Sequence, residues 1–268
     1  MTDHRLPPIR EVVLTRPAGS NAGLREALVA ARPAGMPEPV LITQPLLAIQ
    51  PLADGGDLPD ALAAMTAADL VVFVSPRAVE VADAVRSLVD WPAREFAAVG
   101  AATGRALAHV GRPATFLPDS SEDSEGLLEC LRDVPMSGRR VWIIRGETGR
   151  ELLADSLAAR GAEPRFVAVY RRECPASKPP VPVGPACLWI ITAPQALDCF
   201  AQLAGETDGS EPGLLDSNLL VINERARERA RALGIRGPIL LAGGPGAETL
   251  ARAAWELIAE RQSSPPRH

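Results

Sequence analysis

The hydrophobic pattern changes period at one point within Leu70–Val85, LVVFVSPRAVEVADAV. Val71, Val72, Phe73 and Val74 form an unbroken apolar run, the pattern of a strand buried on both faces of a parallel sheet. After Ser75-Pro76 the spacing turns helical: Ala78, Val81, Ala82, Val85 and Leu88 recur as the core stripe of an amphipathic helix. Proline suits a first helical turn, where its missing N–H would have had no partner anyway. The predicted unit is strand, tight turn and helix, with the helix's free N–H groups aimed above the turn. Leu188–Phe200, LWIITAPQALDCF, repeats it with Ala193-Pro194 in place of Ser75-Pro76. The chain reads as two copies of one α/β lobe.

The rest of the chain follows the same alternation. Glu11–Thr15 predicts a strand ending in Arg16-Pro17-Ala18-Gly19, then a helix with Leu24, Ala27, Leu28 and Ala31 on one face. Val40–Leu52 is extended in character but broken by Pro45 and Pro51, so Pro45–Leu52 is read as a connector. Pro59–Thr66 predicts a short helix, Phe96–Gly100 a strand, Thr103–Val110 a helix and Ala114–Leu117 another strand. Ser121–Arg132 predicts a helix with serine caps and acids in its first turn. Arg140–Arg145 is a buried strand, and Gly146–Glu151 opens a helix carrying Leu152, Leu153 and Leu157 that Gly161 ends. Arg165–Arg172 is a second extended connector. Strands at Ala186–Thr192, Leu219–Ile222 and Ile239–Ala242 then alternate with helices at Pro194–Leu203, Glu224–Leu233 and Ala247–Glu260. A Gly/Ser/Pro-rich loop from Gly205 to Gly213 separates the first two of these units, and a disordered tail is expected at the end.

Strand ends at Val74, Val99, Phe116 and Ile144 give the middle of the chain one more strand than the C-terminal part, which has Ile191, Val221 and Leu241. The Val13 strand makes up the difference. Aligning Thr15-Arg16-Pro17 with Ile144-Arg145-Gly146 sets Leu24 and Leu28 opposite Leu153 and Leu157, which makes the two strand–helix units twins. The expected fold class is α/β: two similar lobes, each a parallel sheet flanked by helices, joined by a two-stranded antiparallel connector. Lobe one takes residues 1–44 plus 174–268, the connector strands take 45–52 and 164–173, and lobe two takes 53–163. A cleft between two such lobes is the usual place for a ligand.

Composition narrows the function classes. A net charge of −5 argues against nucleic acid as a partner. An anionic ligand stays open, because helix N-termini bind anions whatever the net charge. Cys130, Cys174, Cys187 and Cys199 form no CxxC pair and have no histidine close by, which points away from a metal site and from a disulfide framework. The first residues lack an apolar signal core and no apolar run is long enough to span a membrane, so a cytoplasmic protein is expected.

Six segments in order carry a family resemblance: TRPAG, VVFVSPRAVE, AVGAAT, SEGLLE, RGETGRELLADSLAARGA and VAVYRR. Together they resemble uroporphyrinogen-III synthase, over nearly the whole chain. The resemblance implies a monomeric lyase that uses no metal and no organic cofactor. It implies cyclisation of the acidic linear tetrapyrrole hydroxymethylbilane to uroporphyrinogen III, with loss of water and inversion of ring D. A transient contact with the preceding pathway enzyme goes with it, and no membrane or nucleic-acid partner. The departures lie on the C-terminal side: Ala193 stands where family members often have serine, and Asn223-Glu224-Arg225-Ala226 where many have a Gly-Pro-x-Thr turn.

A substrate so rich in carboxylates needs many anion donors, and backbone N–H groups at helix starts supply them. Ser75, Thr103, Ser124, Thr192 and Gln195 stand at such starts, and Gly146 and Gly149 in the GETG turn. Plain N-capping is the competing reading for the hydroxyls. Arg16, Arg77, Arg145 and Arg150 end strands or open helices, where a guanidinium fork suits carboxylate pairing, against ordinary surface arginine. The GETG turn is too short for a phosphate loop and lacks its lysine. Tyr170 is the only tyrosine and lies in the second connector. As a phenol it donates a proton in a hydrogen bond at neutral pH. It is the candidate catalytic residue, assisting departure of the substrate hydroxyl as water; hinge packing is the alternative. His4, His109 and His268 lie in tails or mid-helix, and the arginines of 225–231 alternate with Glu224 and Glu228 as a solvated face. A non-catalytic bilobal small-anion-binding protein and a two-lobed nucleotide-sugar transferase are the competing functions. The first is normally exported, and the second needs a nucleotide pocket.

Overall fold

The computed structural model describes residues 6–52, 56–64, 68–119, 124–176, 181–206 and 213–262. Ser121, Thr66, the C-terminal tail and most of the loop from 205 to 213 fall outside them. The chain forms two compact units, one from residues 1–48 with 173–268 and one from residues 49–172.

In the first unit, β1 (Glu11–Leu14), β2 (Val40–Thr43), β8 (Cys187–Ile191), β9 (Asn218–Val221) and β10 (Ile239–Leu241) form one sheet in the order β10-β9-β8-β1-β2. The paired neighbours all run parallel. Period-two alternation divides the side chains of β8 between two cores. Cys187, Trp189 and Ile191 face α7 (Pro194–Glu206) and α8 (Glu224–Ala232), while Leu188 and Ile190 join α1 (Ala22–Ala30) and α9 (Ala247–Gln262). Trp189 meets Phe200 of α7 edge-on, with ring centroids 5.1 Å apart.

The second unit repeats this plan. Its sheet has the order β3-β7-β6-β4-β5, from β3 (Ala48–Pro51), β4 (Leu70–Phe73), β5 (Glu95–Ala98), β6 (Arg140–Gly146) and β7 (Glu163–Glu173). Val71 and Phe73 of β4 pack with α2 (Leu58–Ala64), α3 (Pro76–Val85) and α4 (Ala101–His109). Leu70 and Val72 face α5 (Ser124–Cys130) and α6 (Leu152–Ala159). β4 lies between β5 and β6 as β8 lies between β9 and β1, so β6 and β1 hold equivalent places.

Four sequence expectations change. Arg165–Arg172, read as a connector, lies in β7 and pairs in parallel with β6 as a strand of the second sheet. Ala114–Leu117 is a single bridge, Ala97 to Phe116, rather than a strand. Thr115 and Phe116 both donate to Phe96 O, but Pro113 and Pro118 on either side have no N–H with which to extend the ladder. Val85, placed in the core stripe, is 41% exposed, and buried Leu88 belongs to a separate 3-10 turn. The α3 helix ends before its stripe closes: Arg86 is already extended. Finally, Cys174 and Cys199 are disulfide-bonded. They are 25 residues apart, and only the folding of α7 against the segment after β7 brings them together, so local spacing could not reveal the pair.

Among the described residues no helix is long and apolar enough to cross a membrane.

Candidate active site

Arg16, Ser75, Arg145, Gly146 and Thr192 lie at the carboxyl ends of strands, where open parallel sheets bind ligands. In the second unit the local geometry begins with a bulge. β6 and β7 run in register until Arg145 faces Ala168, and then Gly146 faces Tyr170. One extra residue, Val169, has been inserted in β7, so Val169 and Tyr170 turn toward the same core instead of opposite faces. The tyrosine ring lies on the bare backbone of Gly146: a Cβ there would sit 2.7 Å from Tyr170 Cε2. Only glycine accommodates that contact. The Glu147 N–H donates to the Tyr170 carbonyl at 2.9 Å and holds the turn over the strand.

Tyr170 is only 2% exposed, so its ring is packed rather than presented. Its hydroxyl reaches the top of β4, 3.3 Å from Ser75 Oγ. Ser75 also caps α3, accepting the Ala78 N–H at 3.1 Å. The same oxygen thus caps the helix and meets the Tyr170 hydroxyl. The Ser75–Tyr170 pair was not readable in sequence, because it depends on the β7 bulge.

Arg145 is buried, and its fork is engaged by main chain: Nε donates to Gly146 O at 3.2 Å and Nη1 to Arg150 O at 3.1 Å. Its guanidinium carbon stacks 4.4 Å from the centre of the Phe166 ring. A Cβ at Gly149 would fall 2.2 Å from Arg145 Nη2. Burial lowers the Arg145 pKa, with Glu151 and Tyr170 pulling it up and Arg172 lowering it further. This arginine shapes the turn from Gly146 to Arg150. Beside it lies a pocket of about 400 Å³ lined by Arg145, Gly146, Gly149, Phe166 and the acids Asp57 and Glu151, among others. Phe166 carried no sequence signal beyond its strand position.

Arg77 and Arg150 are different. Each pairs with a surface carboxylate, Arg77 with Glu80 at 2.8 Å and Arg150 with Glu125 at 3.2 Å. Exposed pairs of this kind contribute at most about 1 kcal/mol. Arg77→Ala and Arg150→Ala are accordingly expected to leave the thermal midpoint nearly unchanged while raising KM. Parallel losses of stability and activity in calorimetry and steady-state assays would assign them to the scaffold. Thr103 lies in the first turn of α4 and is 2% exposed, and Ser124 is the first residue of α5.

In the first unit, Arg16 follows β1 at the place equivalent to Arg145, and its Nη2 donates to Pro245 O at 2.5 Å. Burial lowers its pKa as well. Asn21 Nδ2 in turn holds the Arg16 carbonyl at 2.9 Å. Thr192 follows β8, and Gln195 is exposed in the first turn of α7. Asn223, one of the departures from the family pattern, caps α8 by accepting the Ala226 N–H at 2.9 Å. Asparagine just before a helical pattern is a capping signal, so this role was open to sequence reasoning.

Comparison with known proteins agrees with this architecture. Residues 38–251 match the family described as uroporphyrinogen-III synthase HemD. The uroporphyrinogen-III synthase of Escherichia coli K12 is 33% identical over 201 residues, covering 71% of this chain and 80% of its own. The Salmonella typhimurium enzyme of the same name is 35% identical over 194 residues, covering 67% and 77%. The crystal structure of uroporphyrinogen-III synthetase from Helicobacter pylori 26695 superposes with a TM-score of 0.58 at 16% identity, over 93% of this chain and 100% of that one, which speaks to the fold alone. With its family match across most of its length and these two relatives, the chain belongs to the uroporphyrinogen-III synthase family.

Proposed function

We propose that this chain is a cofactor-independent carbon–oxygen lyase that cyclises hydroxymethylbilane to uroporphyrinogen III, acting as a monomer in the cytoplasm, in haem biosynthesis. The observation that carries the reading is the family match from residue 38 to residue 251. Loss of the substrate hydroxyl as water gives an electrophilic azafulvene. The substituted α-carbon of ring D attacks it, and the spiro intermediate fragments and recloses with that ring reversed. The reactivity belongs to the pyrroles, so the protein's main work is orientation, an effect that can supply several kcal/mol.

Each unit offers donors suited to the substrate's carboxylates. In the second unit these are the first turns begun by Ser75 and Ser124, with Thr103 in the first turn of α4, the Gly146–Gly149 turn, and Arg77 and Arg150. The first unit offers Arg16, Thr192 and Gln195. Tyr170 donates its proton to the departing hydroxyl, and the Ser75 hydroxyl, 3.3 Å from the phenol oxygen, holds that oxygen in place.

The test is incubation of the purified protein with enzymatically generated hydroxymethylbilane and separation of the isomers. Uroporphyrinogen III should predominate over the spontaneous type I product. The same type I fraction with and without protein would sink the synthase reading and favour a non-catalytic anion-binding protein.

A further inference from the structure

We propose that Cys174 and Cys199 are a thiol–disulfide exchange site through which small thiols and disulfides adjust substrate affinity. Cys174 lies just beyond β7, four positions after Tyr170, and its bond to Cys199 ties that segment to α7. The first turn of α7 follows Thr192 and contains Gln195, so the tether restrains a helix whose N-terminal N–H groups face the strand ends. The kinetic half of this proposal rests on the synthase reading; the thiol chemistry does not.

Exposure sets the direction of attack. Cys199 is buried at 4% exposure within the α7 core, whereas Cys174 is half-buried beside Pro45, Pro175 and Gln202. A small thiolate therefore attacks Cys174 Sγ. The S–S bond breaks and Cys199 leaves as a thiolate that takes up a proton. A second small thiolate then attacks the small molecule's sulfur in the mixed disulfide, releasing Cys174. Two small thiols become one disulfide, their electron pair passes to the protein, and two cysteine thiols result. Glutathione disulfide drives the reverse reaction.

The remaining cysteines are not part of this bridge. Cys187 is buried, and its thiol donates to Glu11 Oε2 at 3.1 Å and to Val183 O. Burial, aided by Glu11, pushes its pKa up to about 12, which keeps it protonated and unreactive. Cys130 is exposed on α5, in the other unit.

Full-length protein equilibrated with glutathione disulfide or with dithiothreitol, denatured and alkylated, provides the thiol count by mass. In the oxidised form Cys187 is expected alkylated and Cys130 either alkylated or carrying glutathione, which its added mass identifies, and all four cysteines are alkylated in the reduced form. Reduction should lower the thermal midpoint by on the order of 5–10 °C. It should raise KM for hydroxymethylbilane several-fold with kcat unchanged, since the loosened first turn of α7 binds rather than reacts. Cys174→Ser/Cys199→Ser should match the reduced protein in midpoint and KM and respond to neither reagent. Four alkylated cysteines after glutathione disulfide would overturn the exchange site. A pair that forms without any shift in KM would overturn the control of affinity. Absence of turnover in every form would refute the synthase reading and the kinetic half with it, while the thiol count still decides the exchange site.

Discussion

Arg145→Met is expected to lower kcat/KM by about 10²-fold and the thermal midpoint by roughly 6–12 °C. The stability loss follows from what the side chain touches. Two main-chain carbonyls, Gly146 O and Arg150 O, lose a charged donor, and the Phe166 ring loses its stacked guanidinium. Hydrogen bonds to charged groups contribute about 1.5–3 kcal/mol each, and the losses overlap, so a total near 3 kcal/mol is reasonable. The loss of activity follows from the turn that these bonds hold. Gly146 supports the Tyr170 ring, and the N–H of Glu147 holds the Tyr170 carbonyl, so a displacement of the turn is passed to the phenol.

Arg145→Lys separates charge from shape. Lysine keeps the positive charge but has no planar fork to span both carbonyls and no plane to lie on Phe166. It should therefore fail nearly as badly as methionine, in midpoint and in kcat/KM together. If Arg145 acted chiefly as a charge for a substrate carboxylate, lysine would restore most of the activity. That result, measured by steady-state kinetics alongside calorimetry, would refute the role as a post for the turn.

The same arginine shows where sequence reading stops. Its position at a strand end suggested a carboxylate partner, by the argument that also covered Arg16, Arg77 and Arg150. Strand-end position is legible, but the direction of a long side chain is set by loops. The turn at 146–150 folds back over Arg145, whose fork meets two carbonyls, and the turn ending at Pro245 comes within reach of Arg16, which gives it one N–H from Nη2. Arg77 and Arg150 point outward onto helix-surface acids. What the pattern does specify is the sheet framework. The Val71–Val74 run and the Pro76 start mark β4 and α3, because backbone chemistry alone decides them, and the repeat at Leu188–Phe200 marks β8 and α7 in the same way. The Phe116 segment misled because its apolar residues resemble a strand, whereas its flanking prolines limit its pairing. The Cys174–Cys199 pair and the Ser75–Tyr170 contact are tertiary facts, joined by packing and by a single bulge.

Tyr170→Phe tests the chemistry that this bulge arranges. Phenylalanine keeps the ring on Gly146 and its place in the core, and removes only the O–H that lies 3.3 Å from Ser75 Oγ. That contact is long and part-buried, so its loss should cost no more than about 1 kcal/mol of stability. Ser75 retains its capping bond from the Ala78 N–H, and α3 should be undisturbed. The activity should fall further than the stability. General acid assistance is typically worth 10²–10⁴-fold, but the hydroxyl of hydroxymethylbilane departs readily even without enzyme. A loss in kcat of about 10²-fold or less is therefore expected, with the residual product still mostly the type III isomer, because the fold of the bound bilane rather than the phenol selects the attacked carbon. Activity equal to the unsubstituted protein would leave Tyr170 as core packing. Full-rate consumption with a switch to type I would show instead that the phenol orients the bilane. Ser75→Ala gives the complementary measurement: it frees the Tyr170 hydroxyl from its neighbour and removes the cap of α3. The cap should cost about 1 kcal/mol of stability on its own. If Ser75 holds the phenol for proton donation, the double variant with Tyr170→Phe should lose little more kcat than Tyr170→Phe alone; multiplied losses would mean that the two residues act separately.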